Sequence, residues 1–288
     1  MPYYKVANLV IDVTSNNKHI QSWLSPFLFM NGESANMNVE ILPVAKIPIP
    51  EGELVFKEAL LWIKKHSDAG GYFGYYETSS HVAVAAIETD ADWNNVKIYY
   101  RQGIRLLDAN ICDPEMLCMT FIGIAFRNHL ICKNGFVLHA SCIAFNGKGI
   151  AFSAPSGTGK STHSKLWEKY KPGAVIINDD MPALRLINGK PMLCGTPWSG
   201  SSDIFKNENV ALSAIFLLEQ SQENTINLVN SGEAVAGLLP RAVLPYHDRT
   251  LMDLAIDTFE KIISLIPVYR LKCKPDAEAV ELVSQCLR

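Results

Sequence analysis

The sequence predicts an α/β protein in two parts: a strand-rich N-terminal domain over residues 1–110 and a mixed α/β domain over 111–288. Three observations support this. Apolar residues alternate with period two in several stretches of the first hundred positions. A Gly-rich loop between an apolar strand and a helix opens the second part. From there to the end, strands are mixed with amphipathic helices, the pattern of α/β architecture.

Taken in order, Leu9, Ile11 and Val13 alternate with Val10, Asp12 and Thr14, which suits a half-buried strand. A second strand-rich block holds Val82, Val84 and Ala86, and a third alternation follows at Val96, Ile98 and Tyr100. The polar piece 88–95 between them is expected to be a hairpin connection. Pro43, Pro48 and Pro50 mark loop or edge structure, and 53–65 is expected to form a short amphipathic helix. Tyr72, Phe73, Tyr75 and Tyr76 sit beside Gly70, Gly71 and Gly74. Strand packing explains that aromatic cluster better than a ligand platform does.

Asp113-Pro114-Glu115 is a helix start, and Asn134-Gly135 is its stop. The domain boundary is placed just before that helix, near residue 110. Strands are then expected over 136–145 and 149–153, joined by the tight-turn pair Asn146-Gly147. A helix over 160–170 leads to an apolar strand over 174–177, with further strands at 183–187 and 212–218. Residues 248–266 form an amphipathic helix with Leu251, Leu254, Ala255, Thr258, Phe259, Ile262 and Leu265 on one face. A strand over 268–273 and a helix over 276–287, capped by Asp276, close the chain.

Composition narrows the function classes. Apolar residues are 48% and charged residues 19% of the chain, as in an ordered globular protein. With 26 Lys+Arg against 29 Asp+Glu there is no long basic run, so a nucleic-acid partner is not expected. The seven cysteines are scattered, with no CxxC pair, and fit buried small hydrophobes in a reducing cytosol. Met1-Pro2-Tyr3-Tyr4-Lys5 lacks the charged start of a signal peptide, and the most apolar stretch, 116–126, is too short to span a bilayer. A soluble cytoplasmic protein is expected, with no membrane partner.

The chemistry is concentrated in Ala154-Pro155-Ser156-Gly157-Thr158-Gly159-Lys160-Ser161, followed by Thr162. This fits the Walker A spacing, with Ala154 standing where the first Gly is usual. Gly157 and Gly159 let the backbone curl so that successive N–H groups face phosphate oxygens. The helix that begins there adds the positive end of its dipole. Lys160 reaches the β- and γ-phosphates, and the Ser161 hydroxyl ligates Mg²⁺. The expected ligands are therefore ATP and Mg²⁺.

A second element is Asn178-Asp179-Asp180 at the end of the apolar strand. One carboxylate in that position holds Mg²⁺, and a neighbouring one can orient or deprotonate an attacking hydroxyl. The bland alternative is that one of the two caps the following turn. The third element is His139. Alone, a His in an apolar strand reads as a core residue, but the phosphate loop after the next strand makes it a site candidate.

Leu138-His139-Ala140-Ser141, Gly147-Lys148-Gly149 and Pro155-Ser156-Gly157-Thr158-Gly159-Lys160-Ser161-Thr162 together resemble the catalytic core of the HPr kinase/phosphorylase family. That family is itself related to the ATP-dependent phosphoenolpyruvate carboxykinases. The acid pair lies 19 residues after Lys160, a short spacing that also matches. Gly195-Thr196-Pro197-Trp198-Ser199-Gly200 resembles a motif of the related kinases found beside bacterial peptide-modification genes. The resemblance covers about residue 130 onward and implies an HPr kinase-type core with a mixed sheet. It implies Asp179 as general base toward a serine hydroxyl, with His139 beside it. Asp180 and Ser161 would hold Mg²⁺, and Lys160 the transferring phosphate. It also implies an Arg near the phosphates, for which Arg241 is the candidate beside a plain surface role. The first hundred residues do not resemble the N-terminal domain of those kinases, and their C-terminal docking signature is not found.

The leading expectation is thus a kinase acting on a serine of a protein or peptide, with the N-terminal domain recognising a substrate or partner. A kinase of a small hydroxylated metabolite such as free serine is the alternative within enzymes, and a non-catalytic nucleotide-binding regulator the alternative outside them. Self-association into a homo-oligomer is left open.

Overall fold

The computed structural model describes residues 3–30, 32–66, 70–102 and 114–287. It is a mixed α/β protein with two large mixed sheets and a few helices. Two compact units are formed, the first mainly Leu9–Cys132 with Pro245–Leu251, the second mainly Lys133–Leu244 with the chain from Met252 on. The boundary expected near residue 110 and the cap Asp113 fall outside the described residues, and the helix after them clusters with the first unit.

In the first unit the strands are β1 (Tyr3–Val6), β2 (Leu9–Thr14), β3 (Leu28–Phe29), β4 (Met37–Val44), β5 (Gly52–Lys57), β6 (Leu61–Lys65), β7 (Tyr72–Glu77), β8 (Ala83–Thr89) and β9 (Asn95–Arg101). They pair in the order β3-β1-β2-β4-β9-β8-β7-β6-β5. Helix α1 (Lys18–Leu24) follows β2, and α2 (Pro114–Cys132) packs on β8 and β9. The expected strands near 9–14, 82–86 and 96–100 are all present, and β8 and β9 pair antiparallel as a hairpin. The expected helix over 53–65 is corrected: β5 and β6 are an antiparallel hairpin, and β6 pairs onward with β7. Its Glu, Lys and Leu content favours helix locally, but pairing with the aromatic strand β7 overrides that preference. Pro43 lies inside β4, opposite Tyr100 of β9. It is tolerated because the ladder to β2 ends at Glu40, so no neighbour needs its missing N–H.

The second unit holds β10 (Gly135–Val137), β11 (Ala140–Phe145), β12 (Lys148–Ser153), α3 (Lys160–Tyr170), β13 (Val175–Asn178), β14 (Ala183–Ile187) and β15 (Lys190–Cys194). There follow β16 (Asn209–Gln220), β17 (Thr225–Leu228), α4 (Ser231–Leu238), α5 (Arg249–Leu265), β18 (Val268–Cys273) and α6 (Ala277–Gln285). The strand order is β10-β14-β15-β16-β12-β11-β13, with β18 also on β16 and β17 on β18. Most pairs are antiparallel, but β12, β16 and β18 run parallel to one another. Alternate residues of these strands serve two cores. Ile150, Phe152 and Phe216 pack with Trp167 of α3 and Val280 of α6, while Ala151, Ile215 and Leu217 pack with Leu238 of α4 and Phe259 of α5.

Asn146 and Gly147 take φ of 49° and 73°, as a two-residue primed turn requires. Asp248 caps α5 by accepting from Thr250 and Leu251 N–H, and Asp276 caps α6 at Ala279. On α5, Leu251, Ala255, Thr258, Phe259 and Ile262 are buried as expected, whereas Leu254 and Leu265 are exposed. One expected strand, 136–145, is two: the chain leaves the sheet at Leu138 and His139 between β10 and β11. Of the described cysteines, four are buried and none is disulfide-bonded. No helix among the described residues is long and apolar enough to cross a membrane.

His163 is buried and His247 half-buried, and each ring sits among aromatic side chains. His247 stacks on Trp62 at 4.1 Å and meets Tyr72 edge-on, all in the first unit. His163 meets Phe152 at 4.5 Å in the second. Burial pushes both imidazoles down to about 4, against a small upward pull from Asp248 on His247. In the unfolded chain they titrate near about 6.5. Between those values the unfolded chain binds protons that the folded one does not, so stability falls as pH drops from about 6.5 towards about 4. Each contributes up to about 3 kcal/mol of that loss. Thermal unfolding from pH 7.5 to 4.5 is expected to show the decline, and His247→Phe is expected to flatten it. An unchanged slope in the variant would remove His247 as a source.

Candidate active site

β12 delivers the chain into the Gly-rich loop, and α3 begins at Lys160. Gly157 and Gly159 have φ of 78° and 104°, a region that side-chain-bearing residues rarely adopt. A Cβ at either would meet nothing within 4 Å, so the requirement is conformational, not steric crowding. Gly159 gives α3 no side-chain cap, and there is no acid in the first turn. The first-turn amides therefore keep their positive potential for an external acceptor. Lys160 is buried, and its Nζ donates to the carbonyls of Ala154 (3.1 Å) and Pro155 (3.3 Å). Burial lowers its pKa, and Asp180 pushes it back up.

The acid pair follows β13. Asn178 is fully buried and ties the turn together: its Oδ1 accepts from the N–H of Asp180 (2.9 Å) and Met181 (2.7 Å). Its Nδ2 donates to the carbonyls of Thr196 (2.9 Å) and Trp198 (3.0 Å). One side chain thus fixes the Asp179-Asp180 turn against the loop after β15. Asn178→Ala removes these four hydrogen bonds, one buried and three part-buried. It is expected to cost about 2–4 kcal/mol in chemical denaturation, and a loss below about 0.5 kcal/mol would show that the turn holds without it.

Asp179 is buried, and the Ser141 hydroxyl donates to its Oδ1 at 2.6 Å. Ser141 is in turn 2.6 Å from the hydroxyl of Ser164 on α3. His139 lies beside the other acid, with Nε2 3.2 Å from Asp180 Oδ1. The neighbour of Asp179 is therefore Ser141, and the His expected beside the base pairs with Asp180. Distant backbone sets the strand break that places this ring. His139 N–H donates to Arg241 O (2.8 Å), Leu138 N–H to Pro182 O (3.1 Å) and Ala140 N–H to Asp180 O (3.0 Å). Burial first, and then the charge of Lys160, lower the His139 pKa, with Asp180 pulling the other way. Arg241 ends a 3₁₀ turn, Leu239–Arg241, close enough for its charge to lower the pKa of both His139 and Lys160. Its Nε is buried with no hydrogen-bond partner.

A cavity of about 540 Å³ brings these parts together. Of the expected residues, Ser156, Gly157, Gly159, Lys160, Ser161 and Thr162 line it from the loop side, and His139, Asp179 and Asp180 from the other. Pro155 and Arg241 do not line it, and Thr158 lines a neighbouring cavity. Ser199, Gly200, Ser201 and Ser202 form a further wall, of which the sequence reading flagged only Ser199 and Gly200, within a motif. Gly200 has φ of 62°, and a Cβ there would stand 2.7 Å from Asp180 Oδ2. Ser141 and Asn178 were read only as members of motifs, with no role of their own, although a polar side chain inside an apolar strand is a visible signal for both.

The described residues contain no cluster of three or more His, Cys, Asp or Glu able to hold a metal. Mg²⁺ needs less, since it keeps most of its waters and takes one or two protein oxygens. The hard oxygens of Asp180 and Ser161, on one cavity wall each, fit that donor set.

No family model matches the chain, and no curated protein matches it. Among solved structures it is similar to the HPr(Ser) kinase/phosphatase from Coxiella burnetii, at 11% identity and a TM-score of 0.32. That match covers 53% of this chain and 88% of the other.

Proposed function

We propose that the second unit is an ATP- and Mg²⁺-dependent kinase that transfers the γ-phosphate to a serine hydroxyl of a protein or peptide. The observation that supports it is the single cavity faced by the Gly-rich loop, Lys160, both carboxylates and His139. A site for nucleotide binding alone has no use for a second, buried carboxylate opposite the loop. The serine acceptor is drawn from the resemblance of the motifs at 138–141, 147–149 and 155–162.

Loop amides and Lys160 bind and orient the triphosphate, because a loose phosphoryl transition state needs positioning and charge neutralisation above all. Lys160 leaves its two loop carbonyls to do so. Asp179 takes the proton of the attacking hydroxyl. Ser141 engages Oδ1, so Oδ2 is the oxygen that receives it. The hydroxyl oxygen then bonds to the γ-phosphorus as the bond to the bridging oxygen breaks, and ADP leaves. Asp180 and Ser161 would hold Mg²⁺, which when bound neutralises the charge on the phosphate oxygens. Arg241, with its unpaired Nε, adds positive charge near the same group. His139, largely neutral at pH 7, orients Asp180.

The test is transfer from γ-labelled ATP with Mg²⁺, offered serine-containing peptides and free serine in parallel. Label on a peptide serine supports the reading. Label on free serine alone replaces it with a metabolite kinase, and bound ATP with no transfer to any acceptor counts for a nucleotide-sensing regulator.

A further inference from the structure

A second cavity, of about 600 Å³, lies beside the Gly-rich loop and is not used by the chemistry above. It shares Gly159 and Thr162 with the first, so the two adjoin at the start of α3. Its place in the sheet is defined by the three mutually parallel strands. β12 ends in the loop, β16 ends at Gln220 and β18 ends at Cys273, and the cavity opens beyond these three carboxyl ends. Ligands of open α/β sheets bind at that position.

Its walls suit a flat heteroaromatic ring. Leu218, Cys273 and Pro275 give apolar surface, and Gln220 gives a carboxamide. His163, on the same lining, is 2% exposed with neither ring nitrogen hydrogen-bonded. Its ring packs against Phe152 at 4.5 Å and adds aromatic surface behind that wall.

We infer that this cavity takes the base of the nucleotide, and that Gln220, held in one orientation by the carbonyl of Thr158, selects adenine over guanine. This rests on the reading of the loop as a triphosphate cradle. Gln220 Nε2 donates to Thr158 O at 3.3 Å. A carbonyl can only accept, so the amide nitrogen must face it, and Oε1 is turned away with the second N–H beside it. The carboxamide then offers one acceptor and one donor side by side. Adenine matches, because its exocyclic N6–H donor stands next to a ring acceptor. Guanine in the same pose sets its O6 acceptor against Oε1. Rotating the amide to suit guanine would bring Oε1 against the Thr158 carbonyl, so the loop itself enforces the choice.

Calorimetric binding of ATP, GTP and inorganic tripolyphosphate, each with Mg²⁺, tests this on the full chain. The wild type is expected to bind ATP about tenfold more tightly than either GTP or tripolyphosphate. Gln220→Ala and Gln220→Glu are expected to bring ATP and GTP within about twofold of each other while leaving tripolyphosphate affinity unchanged. Gln220 is exposed, so both variants should fold, and circular dichroism checks it. If tripolyphosphate binds as tightly as ATP, or if the ATP:GTP ratio survives both substitutions, the base site is wrong and the loop reading stands. If neither tripolyphosphate nor ATP binds, the loop reading fails and this inference with it.

Discussion

Asp179→Asn is expected to lower phosphoryl transfer by about 10²–10⁴-fold while leaving ATP affinity within about threefold of the wild type. Asparagine has nearly the same shape and can still accept the 2.6 Å bond from Ser141 at its Oδ1. It cannot take the hydroxyl proton, because the amide presents N–H where the carboxylate presents Oδ2. Loop, Lys160 and Asp180 are untouched, so the nucleotide should still bind. Single-turnover transfer of labelled phosphate and calorimetric ATP binding separate the two effects. Full transfer in the variant would remove Asp179 from the base role. A large loss of ATP affinity would show instead that its charge holds the nucleotide or its metal.

The companion substitution Asp180→Asn sharpens the contrast. If Asp180 and not Asp179 helps hold Mg²⁺, its loss raises the Mg²⁺ concentration needed for half-maximal activity, whereas Asp179→Asn lowers the rate at every Mg²⁺ concentration. His139 is drawn into the comparison because it pairs with Asp180 at 3.2 Å. A His139 variant is therefore expected to resemble Asp180→Asn in its metal dependence.

How much of this was legible in the sequence depends on how local each cause is. Gly157 and Gly159, the helix after them, and the two acids at the end of an apolar strand are local features, and each stands where the spacing put it. The hairpin of β5 and β6 was misread because its residues favour helix and its strand character comes from β7, several residues further along. The break at Leu138 and His139 was missed for a stronger version of the same reason. It is held by backbone groups of Asp180, Pro182, Arg241 and Ala242, more than forty residues away in the chain. That break is what turns His139 towards Asp180. The chain Ser164–Ser141–Asp179 likewise joins a helix, a strand and the turn after β13, and no periodicity in the sequence records it.

Lys160→Ala is expected to act on both binding and rate, and so to separate from Asp179→Asn in kind. The ammonium is the one buried cation at the loop, and its bonds to Ala154 O and Pro155 O are neutral carbonyl contacts that a phosphate oxygen outcompetes. Its pKa is already lowered by burial, so the site gains by supplying an anionic partner. Removing it should weaken ATP binding by about 10–100-fold, as for loss of one or two charge-assisted hydrogen bonds, and lower the rate further because negative charge is being handled in the transition state. Alanine keeps helix propensity at the start of α3, so the fold should survive, with a thermal midpoint near that of the wild type. The free energy of unfolding offers an independent reading. Without the lysine, the ligand-free protein loses a buried charge that costs desolvation, so the apo form should be no less stable, while ATP-induced stabilisation shrinks. Unchanged ATP affinity in this variant would mean that the phosphates do not lie on this loop.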